Sequence, residues 1–455
     1  MRRSFGILLG AAALSSTLTA ANAAVPIDDI STAARATARA VSMHVAPDVV
    51  SVSNRANALQ PDVQSSAISA TLAAQGAFAL GRGASLGMTS VMRGATPVQL
   101  APAGYQFPMS TTVLPLDAVG AVFGRDIAAA IATGAIVMGK RTADLRGAQA
   151  GDTVDLVSAG GGIVTFAIGM VADDARVGGA ELLIASHQAD VLGVTTETRL
   201  LAWGFSSRDA MDEQLAASGL LSRADVRVNR SWAPPSPDST LGLAQTKVLL
   251  GEFAYRVLPN GIDLAVTPEW VAASLPPDRE VIFAGIPIRA RCHNAVKADL
   301  AAALAEVAAA GLSGAIDVGN ANTYGGCYYP RFNRVAGALG FLSRHSWGQA
   351  LDTNTTTNAQ GTTPQMNCNV VRIFRKHNFA WGGNFLTSDG MHFEWVGERR
   401  DLLQFPSRYC PNLASATAVE SAPNGAPAAQ PTATAASWDT FFAGDGWIGD
   451  GWTTD

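Results

Sequence analysis

Charged residues and cysteine are scarce in this sequence, and each shortage excludes a class of protein. Of its 455 residues 15% are charged, and the formal net charge is −5. The chain has no run of lysine and arginine, so we expect neither nucleic-acid binding nor attachment to an anionic membrane surface. After the first 24 residues no segment is apolar enough to span a bilayer. The composition, 48% hydrophobic, is that of a globular chain with room for two or three domains.

Only four cysteines are present, and all lie in the second half of the chain. None belongs to a CxxC pair, so a zinc ribbon is not expected. An even number of cysteines in an exported chain indicates two disulfides, for which three pairings exist. Sequence proximity favours the pairs Cys292–Cys327 and Cys368–Cys410.

The first 24 residues have the pattern of a signal peptide. Arg2 and Arg3 precede an apolar stretch from Ile7 to Leu14, and Ala21-Asn22-Ala23 has the form of a cleavage site. An uncleaved anchor helix is the alternative, but the apolar stretch is short and ends at Ser15. The low charged fraction is compatible with export. We therefore expect the mature protein to be secreted or otherwise extracytoplasmic.

Residues 25–230 predict a mixed α/β accessory region. Its predicted elements are helices at Ile30–Val41 and at Ile127–Ala132, the second capped by Asp126, and strands at Thr153–Val157 and Ile163–Ile168, which flank a turn at Gly160–Gly162. This turn lacks the lysine and the strand–loop–helix order of a phosphate loop, so no nucleotide site is expected. Residues 141–193, within a module at 110–225, resemble the periplasmic core domains of ABC-type export permeases. A generic β-rich accessory domain is the alternative.

The rest of the chain predicts a linker, a second domain and a tail. Residues 231–240 contain three prolines, which cannot continue a helix or a central strand. Residues 241–411 predict an α+β domain with a small antiparallel sheet and flanking helices. Its predicted elements are helices starting at Pro268, spanning Val296–Val307 and around Val370–Phe374, and strands at Ala315–Val318 and Met391–Val396. Residues 412–455 predict a disordered tail with an acidic, aromatic terminus.

Two stretches of the second domain carry residues suited to metal chemistry. SRHSWGQALDTN (343–354) supplies His345 and Asp352, and WGGNFLTSDGMHFEW (381–395) supplies His392 on a predicted strand. Two imidazoles and one carboxylate suit zinc, whose catalytic sites keep three protein ligands and a position for water. Zinc lowers the pKa of that water and polarises a carbonyl, and a carboxylate then moves the proton to the leaving amine. Asp389 and Glu394 are the candidates for that carboxylate, and Glu394 shares a strand face with His392.

Together the two stretches resemble the zinc D-alanyl-D-alanine carboxypeptidase family, which also includes wall-cutting endopeptidases. The first has the SxHxxGxAxD signature, and the second has an acid three residues before its histidine. The resemblance covers about residues 250–411. The second stretch opens with WGG, which is closer to the L-alanyl-D-glutamate-cleaving branch of the family than to the vancomycin-resistance branch. Asn384 departs from the pattern, because many relatives have an acid there. This departure concerns substrate contacts or the order around the ligands rather than the metal.

The resemblance implies a role for each residue. The zinc ligands match His345, Asp352 and His392, for one ion per chain, and the general base matches Asp389. Arg331 and Ser343 fall where the family holds its substrate, and the planar fork of arginine suits a carboxylate. Arg334 is a near rival of Arg331. Glu394 is expected to orient a ligand by hydrogen bonding.

The other histidines do not complete a site. His44 and His187 have no second histidine nearby in the sequence, and His293 and His377 are expected at the surface beside predicted helices. The sequence thus predicts an exported zinc peptidase that hydrolyses peptidoglycan stem peptides, at a terminal D-Ala-D-Ala bond or at an internal L-Ala-D-Glu bond. The alternative is a non-catalytic cell-wall-binding or envelope-assembly protein whose N-terminal half carries the function.

Overall fold

The computed structural model describes residues 46–55, 58–319 and 324–412. The predicted signal peptide, the helix at Ile30–Val41, His44 and the tail from residue 413 onward lie outside these residues. The described residues belong to one unit that begins at Ala46. Among them, no helix is both long and apolar enough to cross a membrane.

The N-terminal half is a mixed α/β region built on a ten-stranded sheet. Its elements, in chain order, are β1 (Val49–Asn54), α1 (Pro61–Ala73), β2 (Ala77–Arg93), β3 (Thr96–Leu100), β4 (Phe107–Leu114), α2 (Leu116–Val122), α3 (Arg125–Ala132), β5 (Ile136–Gly139), α4 (Lys140–Arg146), β6 (Thr153–Val157), β7 (Ile163–Ala172), β8 (Leu182–Ala185), α5 (Ser186–Leu192), β9 (Glu197–Trp203), α6 (Arg208–Ala217) and β10 (Val226–Arg230).

Six of these strands close into a barrel. From β2 the order runs through β4, β8, β5, β7 and β6, and β6 pairs with β2 again. Because β2 is 17 residues long, its edge opposite β4 pairs with β9 along residues 77–82 and with β6 along residues 87–92. Its residues Ala84, Leu86 and Met88 pack in the barrel core, so the alternate residues Ser85 and Gly87 lie on the outer face. Beyond β9, β1 and then β10 extend the sheet.

The local predictions for this half are largely confirmed. Both predicted strands are present as β6 and β7, and β7 continues to Ala172. The predicted helix is α3, but its cap is Gly124 and not Asp126. Asp126 lies inside the first turn, and its carboxylate accepts hydrogen bonds from Arg176 at 2.8 Å. A capping pattern considers only neighbouring residues, so it could not predict this ion pair with a residue 50 positions away.

The C-terminal half contains shorter strands and three small antiparallel sheets. Its elements are α7 (Leu243–Leu250), β11 (Tyr255–Val257), β12 (Leu264–Val266), α8 (Pro268–Ser274), β13 (Glu280–Phe283), β14 (Ile286–Ala290), α9 (Lys297–Ala309), β15 (Ala350–Asp352), α10 (Cys368–Lys376), β16 (Phe379–Trp381) and β17 (His392–Trp395). The sheets pair β11 with β12, β13 with β14, and β15, β17 and β16 in that order. The predicted antiparallel sheet and flanking helices are therefore present.

The predicted strand at Ala315–Val318 is wrong. A short 3-10 turn covers Ser313–Ala315, and the described residues 316–319 form no strand. Ile316 is the one hydrophobic residue of the segment that is fully buried, and the Asp317 N–H bonds to the side chain of Asn354 at 3.0 Å. The segment thus bonds to the side chain of a distant asparagine instead of joining a sheet.

Both disulfides have the predicted pairing. Cys292 is joined to Cys327, and Cys368 is joined to Cys410. The first links the loop after β14 to the loop between α9 and the turn that carries His345. The second links the start of α10 to the end of the described chain. The first therefore joins two loop segments, and the second ties the end of the described chain to a helix.

Candidate metal centre

The register of the three-stranded sheet places Asp352 opposite His392. β15 and β17 are antiparallel, with Asp352 paired to His392 and Ala350 paired to Glu394. Opposed residues lie on one face of a sheet, and so do residues two apart in a strand. Asp352 Oδ1 is accordingly 3.2 Å from His392 Nδ1, and Glu394 Oε2 is 3.5 Å from His392 Nε2. The two ring nitrogens of His392 thus lie between two carboxylates.

His345 joins this group from a 3-10 turn, Arg344–Trp347, which leads into β15. Ser343 begins the turn, and its hydroxyl oxygen accepts a hydrogen bond from the His345 N–H at 3.3 Å. His345 Nδ1 lies 3.2 Å from the carbonyl oxygen of Cys327. A carbonyl oxygen can only accept, so this contact places the proton on Nδ1 and leaves Nε2 with a lone pair. Nε2 lies 3.4 Å from Asp352 Oδ2.

The structure therefore brings together the three residues that the sequence singled out. One ligand atom from each of His345, Asp352 and His392 lies within 4.8 Å of the others. Their exposed fractions are 1%, 4% and 0%, so the cluster is buried. Each imidazole also has its remaining nitrogen next to an oxygen, of Cys327 or of Glu394. This donor set and this outer support suit a zinc ion.

Asp389 is buried within electrostatic range of the cluster. Its side chain is fully buried, yet neither carboxylate oxygen accepts a hydrogen bond of normal geometry from the described residues. Burial, and then the charge of Asp352, raise the pKa of Asp389 well above its ordinary value. Gly382 permits this packing, because a Cβ there would lie 2.6 Å from the Asp389 carbonyl oxygen and 3.0 Å from His392 Cβ. A buried acid with unused acceptor capacity is suited to exchanging a proton with a bound molecule.

The pKa values of the cluster follow from burial and mutual charge. Burial lowers the pKa of His392, but the bonds to Asp352 and Glu394 raise it to about 10. Burial raises the pKa of Asp352, but the charges of the two histidines bring it well below its ordinary value. Burial lowers the pKa of His345. Without a metal, a proton on His392 balances Asp352, and metal binding requires that this proton leave.

Glu394 differs from Asp389 because donors surround it. Its Oε1 lies 3.5 Å from Arg344 Nε and 3.3 Å from Gln349 Nε2. With Oε2 next to His392, both oxygens of Glu394 are engaged. This arrangement fits a carboxylate that orients an imidazole. Arg344 and Gln349 were not predicted as site residues, although both lie in the first stretch, Arg344 in the turn that carries His345 and Gln349 just after it.

The two candidate substrate arginines differ in their surroundings. Arg331 is 2% exposed, and its Nη1 donates to the Phe332 carbonyl oxygen at 3.0 Å, whereas Arg334 is exposed. Burial, and then the charge of Arg334, lower the pKa of Arg331 to about 10. The charges of Asp352 and Asp389 act on it in the opposite sense. Arg331 is therefore a buried cation within electrostatic range of the cluster at neutral pH.

Asn384 holds the loop between β16 and Asp389. Its Nδ2 donates to Asp238 Oδ2 at 2.8 Å and to the Tyr409 carbonyl oxygen at 2.9 Å, and its Oδ1 accepts from the Tyr409 N–H at 2.9 Å. Asp238 also accepts from Arg375 Nε at 2.8 Å. Asp238 lies in the proline-rich segment 231–240 and is fully buried. Asp238 could not be identified from the sequence, because its partners are more than a hundred residues away.

The N-terminal half binds the same loop from the other side. Arg227 in β10 donates to the Asn384 carbonyl oxygen at 2.7 Å, and Arg55 Nε donates to the Leu386 carbonyl oxygen at 3.1 Å. The Leu386 side chain packs in a hydrophobic cluster with N-terminal residues such as Val119 and Ile127. The loop that leads to Asp389 is therefore held by residues from both halves.

The remaining described histidines lie outside the cluster. His187 is exposed, and His377 Nε2 lies 2.7 Å from Glu306. The expectation that His293 is a surface residue is wrong. His293 is 7% exposed, its Nε2 lies 3.1 Å from the Leu250 carbonyl oxygen, and burial lowers its pKa. Its position against α7 depends on tertiary packing, which the neighbouring sequence does not encode.

Comparison with known proteins identifies one family. The family model described as D-alanyl-D-alanine carboxypeptidase matches residues 336–395. A search of the curated proteins found no match. The matched segment contains His345, Asp352, Asp389 and His392 together with β15, β16 and β17. The resemblance predicted from the two stretches is thus confirmed by a family-model match over residues 336–395.

Proposed function

We propose that this protein is an exported, zinc-dependent peptidase that hydrolyses the stem peptides of peptidoglycan. The observation that carries the proposal is the buried His345, Asp352 and His392 cluster, with Asp389 within electrostatic range and all four inside the matched peptidase segment. The proposed organisation is a signal peptide at 1–24, an accessory region at 25–230, a linker at 231–240, the peptidase domain at 241–411 and a tail at 412–455. The mature protein would then be secreted or associated with the cell wall.

The proposed ligands of a single zinc ion are His345 Nε2, His392 Nδ1 and a carboxylate oxygen of Asp352. When bound, zinc supplies a Lewis acid that polarises a carbonyl and makes water more acidic. The carbonyl of Cys327 and the carboxylate of Glu394 support this assignment, because they hold the opposite ring nitrogens of the two histidines.

Asp389 is proposed to act as the general base and then as the general acid. It would take a proton from the attacking water and pass it to the amine that leaves when the peptide bond breaks. Its buried carboxylate has acceptor capacity that the described residues do not use. Arg331 is proposed to bind a carboxylate of the substrate by its planar fork, and Ser343 is proposed to contact the substrate beside it.

Two bonds are candidates for cleavage: the terminal D-Ala-D-Ala bond and an internal L-Ala-D-Glu bond. The test is incubation of purified muropeptides with zinc-loaded protein, followed by mass spectrometry, because the product masses name the broken bond. His345→Ala is the inactive control. Binding to cell walls without any hydrolysis by the zinc-loaded protein would contradict the proposal and favour a non-catalytic wall-binding protein.

A further inference from the structure

A cavity of about 360 Å³ lies between the barrel and the segment around residues 332–340. Ser85 and Gly87, on the outer face of β2, line one side. Phe332 and the turn at 337–340 line the other, and this turn lies within the segment that matches the peptidase family. The two sides approach closely, since a Cβ at Gly340 would lie 1.9 Å from the Ser85 carbonyl oxygen. The cavity therefore joins the N-terminal region to the peptidase segment.

The chemistry of the cavity wall is polar but uncharged. None of the described residues that line it carries a charge. Its side-chain polar groups are the hydroxyls of Ser85, Ser158, Thr195, Thr196 and Tyr255 and the amide of Gln106. The rings of Tyr255 and Phe332 meet edge to face, with centroids 6.2 Å apart. A ligand here would meet hydroxyl groups, an amide and aromatic surface.

The uncharged wall excludes several ligand classes. A phosphate or carboxylate would find no cation to pair with, and an amine would find no acid. An uncharged sugar has hydroxyl and acetamido groups for the polar side chains, and its C–H faces can pack on aromatic rings. The volume lies at the lower end of small-molecule sites, roughly 300–1,000 Å³.

We propose that this cavity binds an uncharged N-acetylated sugar of the glycan strand to which stem peptides are attached. The choice of a wall glycan rests on the proposed function. Sugar binding away from the reacting bond would favour glycan-linked peptides over free peptides by lowering KM. The barrel is then part of the substrate-recognition surface.

Two measurements test the proposal with the full-length mature protein. The first is calorimetric titration with the uncharged disaccharide of β-1,4-linked N-acetylglucosamine. The second compares KM for a stem peptide with and without its attached disaccharide. Ala338→Trp should fill the cavity, because Ala338 is an exposed lining residue. Ala216→Trp, on the exposed surface of α6, is the matched control.

We expect the disaccharide to bind the wild-type protein and the Ala216→Trp control equally. Ala338→Trp should weaken binding by about tenfold or more, because the sugar loses its enclosed contacts. The same variant should remove the KM advantage of the glycan-linked peptide and leave kcat unchanged. Thr195→Val, which removes one hydroxyl, should weaken binding less.

The proposal is overturned if the wild-type protein does not bind the disaccharide, or if Ala338→Trp binds it as well as the control does. Equal binding of the deacetylated, cationic disaccharide would overturn the assignment to an uncharged sugar. These outcomes are distinct from failure of the proposed function. Sugar binding that depends on residue 338 in a protein without peptidase activity would support the cavity site and contradict the peptidase.

Discussion

The guanidinium of Arg227 donates a 2.7 Å hydrogen bond to the carbonyl oxygen of Asn384. Arg227 belongs to β10 of the N-terminal sheet, and Asn384 lies in the loop that leads to Asp389. A charged donor on a neutral acceptor is among the stronger hydrogen bonds, at about 1.5–3 kcal/mol. The N-terminal half thus contributes to the position of the proposed base, although it lies outside the matched peptidase segment.

Arg227→Ala should therefore lower turnover of stem peptides while zinc content stays unchanged. We expect a loss between about tenfold and a hundredfold, because small displacements of a catalytic group are costly. Arg227→Lys should restore part of the rate. Arg176→Ala, which breaks a surface ion pair with Asp126, is the control and should keep full activity. Full turnover in Arg227→Ala would show that this contact does not position the base.

Zinc content tests the proposed ligands. The purified protein should carry about one zinc ion per chain, as expected for a site with three protein ligands. His345→Ala and His392→Ala should each lose the ion, whereas His187→Ala, an exposed histidine, should keep it. Metal analysis after dialysis gives the answer. A full complement of zinc in either of the first two variants would refute the ligand assignment.

The roles of Asp389 and Glu394 can be separated by isosteric variants. Asp389→Asn should keep zinc and fold but lose turnover by about a hundredfold or more, the usual contribution of a positioned acid–base group. Glu394→Gln should retain much of its activity or bind zinc more weakly, because Glu394 lies against His392 and Arg344. Zinc content and hydrolysis rate are measured for both. An active Asp389→Asn with an inactive, zinc-loaded Glu394→Gln would reverse the roles.

Thiol titration of the denatured, unreduced protein should detect no free thiol.

The two disulfides should differ in their effect on zinc binding. Replacing Cys292 and Cys327 by serine should weaken zinc binding by about 10- to 100-fold, because the disulfide fixes the segment whose residue-327 carbonyl orients His345. Replacing Cys368 and Cys410 is the matched control, which should lower stability by about 2–5 kcal/mol with little change in zinc affinity. Chelator competition measures the affinity, and equal losses in both pairs would argue against an orienting role for Cys327.

Asn384→Asp should destabilise the protein. The change replaces a donor to Asp238 by a second carboxylate and loses the bond to the Tyr409 carbonyl. We expect a cost of about 1–3 kcal/mol in the free energy of unfolding, measured by chemical denaturation. The double variant with Asp238→Asn should cost less than the sum of the two single changes. Strict additivity would contradict a direct contact.

The candidate ligands could be identified from the sequence because their chemistry is local. His345 and Asp352 lie in one short stretch, and Asp389, His392 and Glu394 lie in another, so residue type and spacing already indicated a metal site. The strand at β17, the helix α10 and the disulfide pairing were likewise predictable from short-range patterns. The strand predicted at Ala315–Val318 failed because a strand needs a pairing partner, which a short apolar run does not specify.

Only the tertiary structure decided which distant groups meet. The register of β15 against β17 sets the 3.2 Å distance between Asp352 and His392, and a shift by one residue would turn Asp352 to the other face. The carbonyl of Cys327, the donors around Glu394 and the buried Asp238 act through contacts between remote segments. The pairing of β2 with β6, which closes the barrel, likewise joins segments that lie far apart in the sequence. Local periodicity determines which face of a helix or strand is apolar, but the packing of the whole chain determines which other element that face contacts.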